Sequence, residues 1–135
     1  MAETARTLGI DHLGLTVEDL MLSLSFFTDC LGWKQVGGNP DYPSAYISDG
    51  TSMITLWQAK TDSPTGFDRQ TNIGLHHFAL KMESEEALNA LFEDVKNWPD
   101  VTVEFAPELS GKGPKIHCMV YEPGGNRLEL SYVPR

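Results

Sequence analysis

The stretch His12, Leu13, Gly14, Leu15, Thr16, Val17 returns 65 residues later as His77, Phe78, Ala79, Leu80, Lys81, Met82. Each copy is a histidine followed by apolar, small, leucine, polar and apolar residues. An internal repeat defines an architecture and pairs equivalent positions within one chain. At the same offset Phe26 meets Leu91, Phe27 meets Phe92 and Trp33 meets Trp98, although Ser23 falls opposite Leu88. Each copy therefore predicts a strand followed by a helix of similar length. Farther on, the stretch from Asp49 to Leu56 aligns with that from Pro123 to Leu130 at an offset of 74, so the second copy holds about nine extra residues before its last strand. That alignment makes Thr55 the counterpart of Glu129.

Outward from the first histidine, alternation over Ile10 to Val17 sets Leu13, Leu15 and Val17 on one face of a strand and His12, Gly14 and Thr16 on the other. A helix is predicted from Glu18 and Asp19, acidic residues suited to a helix N-terminus, to about Cys30, with Leu20, Leu24, Phe27 and Leu31 as its buried stripe. Three strands follow, near Trp33 to Val36, Ala45 to Ser48 and Ser52 to Gln58, giving a βαβββ module. The polar stretch after it, with Pro64 and Gly66, reads as a linker in which Phe67 is an anchor or part of a lid. The second module predicts a strand at Gly74 to Met82 and a helix from Ser84 to Trp98 with stripe Leu88, Leu91, Phe92 and Val95. Strands near Thr102 to Phe105, Lys115 to Tyr121 and Arg127 to Val133 complete it. The expected fold class is α+β. Residues 1–135 form a single domain of module 8–60 and module 73–134, joined by linker 61–72, with the sheets curved into a cup.

The chain has 135 residues, enough to bury about two thirds of its unfolded surface. A net charge of -9 and no visible basic patch argue against a nucleic-acid partner. No apolar run approaches the roughly 18 residues that span a bilayer, and the first six residues lack the apolar core of a secretion signal. No membrane association and a cytoplasmic location are the expectations. Cys30 and Cys118, with no CxxC spacing, read as buried reduced thiols.

Chemistry is expected on one face of the strands. His12, Gly14 and Thr16 share it in the first module, His77, Ala79 and Lys81 in the second. In the last strand Arg127, Glu129 and Ser131 oppose Leu128, Leu130 and Tyr132. A carboxylate between two buried leucines is costly unless it is paired or binds a cation. His12, His77 and Glu129 thus form a candidate facial set of two imidazoles and one carboxylate, which leaves coordination positions open for substrate or oxygen. A lone strand histidine is more often a satisfied structural residue, and Glu129 on an exposed edge would need no partner; the equivalence of the two histidines favours the metal. His76 has the opposite parity, so it packs toward the helix or accepts a hydrogen bond. Candidate substrate-binding residues are Thr55, Trp57, His117, Met119 and Tyr121, with Trp57 as an aromatic wall. Lys112 and Lys115 either hold an anionic substrate or are solvated. The candidates for moving a proton are Glu129, His117 and Tyr121.

These residues resemble the vicinal oxygen chelate superfamily, which includes glyoxalase I, extradiol dioxygenases, methylmalonyl-CoA epimerase and the fosfomycin and bleomycin resistance proteins. The carriers are the opening from Ile10 to Leu20, the stretch Phe26 to Trp33, the stretch Leu75 to Met82 and the stretch Tyr121 to Leu130. The resemblance implies that His12, His77 and Glu129 hold a divalent ion (Fe, Mn, Zn or Ni) that chelates a small oxygen-rich substrate. It implies a metal-dependent lyase, isomerase or dioxygenase, and a homodimer. Thr55 stands where glyoxalase I has a glutamate and the epimerase a glutamine, and Thr16 where a bacterial glyoxalase I has an arginine. Met119 stands where dioxygenases and fosfomycin-inactivating enzymes have a tyrosine, for which Tyr121 is the available substitute. The alternatives are a metal-free binding protein of the bleomycin-resistance type, a glyoxalase I-like lactoylglutathione lyase and a fosfomycin-type thiol transferase.

Overall fold

A computed structural model describes residues 4–135. In chain order the elements are β1 (Leu13–Val17), α1 (Leu20–Ser25) with a π-helical continuation (Phe26–Cys30), β2 (Lys34–Gly37), β3 (Ser44–Ser48) and β4 (Met53–Gln58), then β5 (Phe78–Lys81), α2 (Glu85–Lys96), β6 (Thr102–Leu109), β7 (Ile116–Tyr121) and β8 (Arg127–Tyr132). This is βαβββ twice. Each module closes its own four-stranded mixed sheet, in the orders β1-β4-β3-β2 and β5-β8-β7-β6. The first strand of each lies parallel to the last, so Gly14 neighbours Thr55 and Ala79 neighbours Glu129.

The first helix differs from the single uninterrupted helix that its leucine spacing predicts. Asp19 caps it, its carboxylate accepting from the amides of Met21 and Leu22 at 3.0 and 3.2 Å. After Ser25 the helix widens into a π turn, where the Thr28 hydroxyl donates to the Leu24 carbonyl at 2.9 Å. The wider turn buries the adjacent rings of Phe26 and Phe27, which meet edge-to-face at 5.4 Å. The buried stripe is consequently Ser23, Phe26 and Phe27, while Leu20, Leu24 and Leu31 are only half-buried. α2 follows its predicted pattern: Ser84 caps it, Glu85 and Glu86 occupy its first turn, and Leu88, Phe92 and Val95 are buried.

The first strand of each module is shorter than predicted. Ladder pairing of β1 begins at Leu13 with Ile54, and pairing of β5 begins at Phe78 with Leu128. His12 and His77 therefore stand just ahead of their strands. Part of the extra length of the second module appears in β6, eight residues against four in β2, with breaks in register on either side of Phe105.

One core serves both halves: Leu15, Val17, Phe26, Phe27, Ile54 and Leu56 share a cluster with Leu88, Phe92, Val120, Leu128 and Leu130. The polar seam between the halves is short. The Glu18 amide donates to the Gly124 carbonyl at 3.3 Å, Asn126 Nδ2 donates to the Thr16 carbonyl at 3.2 Å, and the Ser23 hydroxyl donates to Glu122 at 3.1 Å. Glu122 is 1% exposed, and burial pushes its carboxyl up from 4.5 to about 6, against the opposing bonds from Gly124, Ser23 and Asn126. A carboxyl raised on folding stabilises the protein when protonated. That contribution is full below pH 4.5 and disappears as the pH rises through about 6. Glu122→Gln, whose amide still accepts from Gly124 and donates to Ser23, is expected to abolish this dependence, worth about 2 kcal/mol. Urea unfolding of both proteins at pH 4.5 and pH 7.5 measures it, and parallel pH profiles would contradict the assignment.

No helix of the described residues is long and apolar enough to cross a membrane. Cys118 is buried and Cys30 half-buried, both as free thiols.

Candidate functional site

Glu129 is the centre of the polar group in the second module. β8 buries it between Leu128 and Leu130, and the parallel neighbour Ala79 adds only a methyl group beside it. Three cationic or imidazole groups converge on its carboxylate. His77 Nε2 lies 3.4 Å from Oε1, His117 Nδ1 lies 3.4 Å from Oε2, and Lys115 Nζ lies 2.8 Å from Oε2. Lys115 supplies charge to Oε2 without a well-directed hydrogen bond, and both Oε2 and His117 Nδ1 are buried atoms with no hydrogen-bond partner. Burial holds the His77 imidazole below its usual range, a tendency that Glu129 opposes and His76, Arg127 and Lys115 reinforce.

His12 does not join this group. Its Nδ1 bonds Asp11 Oδ2 at 2.7 Å, and its side chain is 49% exposed. Among the described residues no three His, Cys, Asp or Glu side chains are placed to hold a metal ion. The physical reason lies in the topology: β1 and β5 belong to separate sheets with no ladder between them. Within one chain His77 and Glu129 make two of the three expected ligands.

The other predicted residues divide between two surroundings. Met119 is 4% exposed and pairs with Glu129 across the β7–β8 ladder, and the His117 ring tilts against Phe105 at 4.9 Å. Tyr121 lies beyond them, its hydroxyl accepting from Arg69 Nη1 at 3.0 Å and donating to Glu104 Oε1 at 3.3 Å. Arg127 grips the same carboxylate with two bonds of 2.8 Å, which hold Glu104 below the usual carboxylate range. Tyr121 and Arg127, with His76, border a cavity of about 470 Å³ that runs between β1 and the segment before β5, with Phe67 and Arg69 on its rim; His77, His117, Met119 and Glu129 do not line it. A larger, more open groove of about 960 Å³ carries none of the histidines; Glu18, Asp19, Asp62 and Asp100 line it.

In the first module the equivalent of Glu129 is Thr55, a neutral hydroxyl in place of a carboxylate. Its buried hydroxyl accepts from Trp57 Nε1 at 2.9 Å. Trp57 meets Tyr42 edge-on at 4.9 Å and Tyr46 at 5.9 Å, and Lys60 Nζ sits 3.7 Å above the Tyr42 ring. Gly14 makes room for them, since a Cβ there would stand 3.3 Å from Thr55 Oγ1 and 3.6 Å from Trp57 Nε1.

Sequence reasoning missed Lys115 as a partner of Glu129, although Lys115 has the same strand parity as His117. It missed Glu104 and Arg69 entirely. Glu104 sits in the irregular part of β6, where alternation gives no signal, and Arg69 lies in a segment without periodicity.

Two βαβββ modules, each with polar side chains over one face of its sheet, define the vicinal oxygen chelate fold class. The chain belongs to the Glyoxalase/Bleomycin resistance protein/Dioxygenase superfamily, whose sequence model matches residues 9–130. No curated protein matches it in sequence. Among solved structures, it is similar to a glyoxylase/bleomycin resistance protein/dioxygenase domain from Frankia sp. EAN1pec, at 24% identity and TM-score 0.80, over 95% of this chain and 99% of that one. It is similar to a lactoylglutathione lyase from Agrobacterium tumefaciens at 17% identity and TM-score 0.70, over 95% and 96% of the two chains. It is also similar to the fosfomycin resistance protein FosX from Listeria monocytogenes at 16% identity and TM-score 0.72, over 95% of each. Such likenesses are of fold.

Proposed function

We propose that this chain is a metal-dependent enzyme of the superfamily, acting on a small oxygen-rich molecule at a site held by His77 and Glu129 of one subunit and His12 of a second copy. The observation that carries this reading is the convergence of an imidazole nitrogen on a buried carboxylate, with buried Oε2 and His117 Nδ1 lacking hydrogen bonds. This donor set fits a divalent ion. When bound, such an ion would polarise a chelating substrate oxygen as a Lewis acid. The chain's own residues would do the rest: Trp57, Tyr42 and Tyr46 would wall the ligand, and His117, 3.4 Å from Glu129, would hold or move a proton.

The second copy is argued from exposed apolar surface. Leu8 and Ile10 precede β1, and their repeat equivalents Ile73 and Leu75 precede β5; all four are exposed. β1 and β5 are edge strands with an unpaired side. Edges and apolar side chains of this kind call for a cover, and a symmetric pair of chains would cover both with the same surface. That arrangement would bring the exposed His12 beside a partner's half-site.

A second reading, a metal-free binding protein, draws on Lys115, which already neutralises Glu129 at 2.8 Å. The test is metal content after anaerobic loading with iron(II), manganese or zinc, measured with sedimentation velocity. Near-stoichiometric metal in a dimer, lost in His77→Ala, is the expected result. A metal-free protein that still binds planar aromatic ligands would establish the second reading instead.

A further inference from the structure

The cavity between β1 and the segment before β5 holds positive charge that the proposed metal chemistry does not use. The chain has four arginines and a net charge of -9, and two of the four, Arg69 and Arg127, line this one cavity. Their side chains are 30% and 11% exposed, so neither is freely solvated. Taking a guanidinium out of water is costly unless an anion faces it.

Within the described residues only Arg127 has such an anion in hydrogen-bond contact. It meets both oxygens of Glu104, through Nε and Nη2 at 2.8 Å each, a forked pairing that occupies the carboxylate. Its Nη1 faces His76 Nδ1 at 3.2 Å. Arg69 stands 3.9 Å from Glu104 Oε1, beyond hydrogen-bond distance, and its side chain bonds only the Tyr121 hydroxyl, at 3.0 Å. A guanidinium carries five N–H groups, so most of those on Arg69 have no acceptor among the described residues. Tyr121 ties the group together, since its hydroxyl also donates to Glu104 at 3.3 Å. Glu18 lines the cavity as well but pairs with neither arginine. Two guanidiniums against the Glu104 carboxylate leave one positive charge in excess.

Beside this charge the wall is apolar. The Phe67 ring lies on Gly74, where a Cβ would stand 2.7 Å from a ring carbon, and it is exposed along the cavity. At about 470 Å³ the cavity is in the size range of small-molecule sites. We infer that this cavity binds a small organic anion, whose carboxylate or phosphate group meets Arg69 beside Arg127 and whose planar or apolar body lies against Phe67. The guanidinium fork matches the spacing of such oxyanions. His77, His117 and Glu129 do not line the cavity, so this site goes beyond the metal reading and stands without it.

Titration of the full, metal-free chain followed by amide NMR reads affinity and place together. Benzoate and phenyl phosphate are expected to bind, the tighter of the two identifying the head group. Benzamide, which keeps the ring without the charge, is expected to bind about 10-fold more weakly. The shifted amides are expected to centre on residues 67–72 and on Asn126 and Arg127. Arg69→Gln, which keeps a donor for Tyr121, is expected to weaken benzoate binding about 10-fold or more at an unchanged urea midpoint. Arg6→Gln removes the same charge from outside the cavity and is expected to leave binding as it is. No binding of either anion, equal binding of benzoate and benzamide, shifts centred on Lys115, or an Arg69→Gln protein of wild-type affinity would overturn the inference. A protein that binds benzoate at Arg69 yet takes up no metal would sink the proposed enzyme and leave this site standing.

Discussion

Gly124→Ala is expected to destabilise the protein by about 3 kcal/mol, close to the upper range for an overpacked core site. The argument is steric. A Cβ at Gly124 would be placed on Glu122 Oε1, 2.5 Å from Ser23 Oγ and 2.6 Å from Val17 Cβ. None of these can retreat cheaply: Val17 is core, and Ser23 and Glu122 are buried partners of one another. The Gly124 carbonyl also accepts from Glu18, and its amide donates to Glu122 Oε2 at 2.7 Å, so moving the turn breaks bonds across the seam. Gly66→Ala is the control, since nothing lies within 4 Å of a Cβ there. Its stability should change by no more than about 0.5 kcal/mol. Urea midpoints for the three proteins measure the difference. A Gly124→Ala protein as stable as the control would mean that the two halves do not meet as closely as described.

The second large effect concerns where the ligands come from. His12→Ala and Glu129→Ala proteins are each expected to bind essentially no metal, while the two refolded together are expected to recover it. In a mixed symmetric dimer one of the two sites holds both defects and the other holds none. Random pairing of equal amounts should therefore restore about a quarter of wild-type sites. Differently tagged subunits allow the mixed species to be purified, in which one site of the two should fill. Mixed dimers that form and bind nothing would place all three ligands in one chain and refute the shared site.

Much of the architecture was legible in the repeat. The order of elements follows from alternation and from the two offsets, whereas the parallel pairing of first and last strands and the burial of Glu129 emerge only in the fold. The π turn did not, because Phe26 and Phe27 both pack inward and Ser23 replaces a leucine at the seam with Glu122, contacts that no helical spacing announces. The candidate site was half legible. His77 and Glu129 meet as strand parity requires. His12 does not reach them, since parity fixes a face and says nothing about the gap between two sheets. Tyr121 was placed near Glu129 by parity as well, yet Arg69 draws its hydroxyl toward Glu104, and a linker arginine without periodicity leaves no trace from which that can be read. Lys115 escaped because the glycines beside it suggested a solvated loop.

The contrast between Thr55 and Glu129 bears on how such a protein diversifies. Its two halves descend through the same backbone plan, but only one carries an ionisable group at the equivalent strand position. The other fills that place with a hydroxyl satisfied by a neighbouring indole, beneath a cluster of rings. On the proposed function, mutations in the uncharged half would reshape the wall against which a molecule rests without stranding a buried charge. The charge of the site would then be inherited on the second module and its contour on the first, so that single steps in the first module would change ligand preference while Glu129 stays fixed.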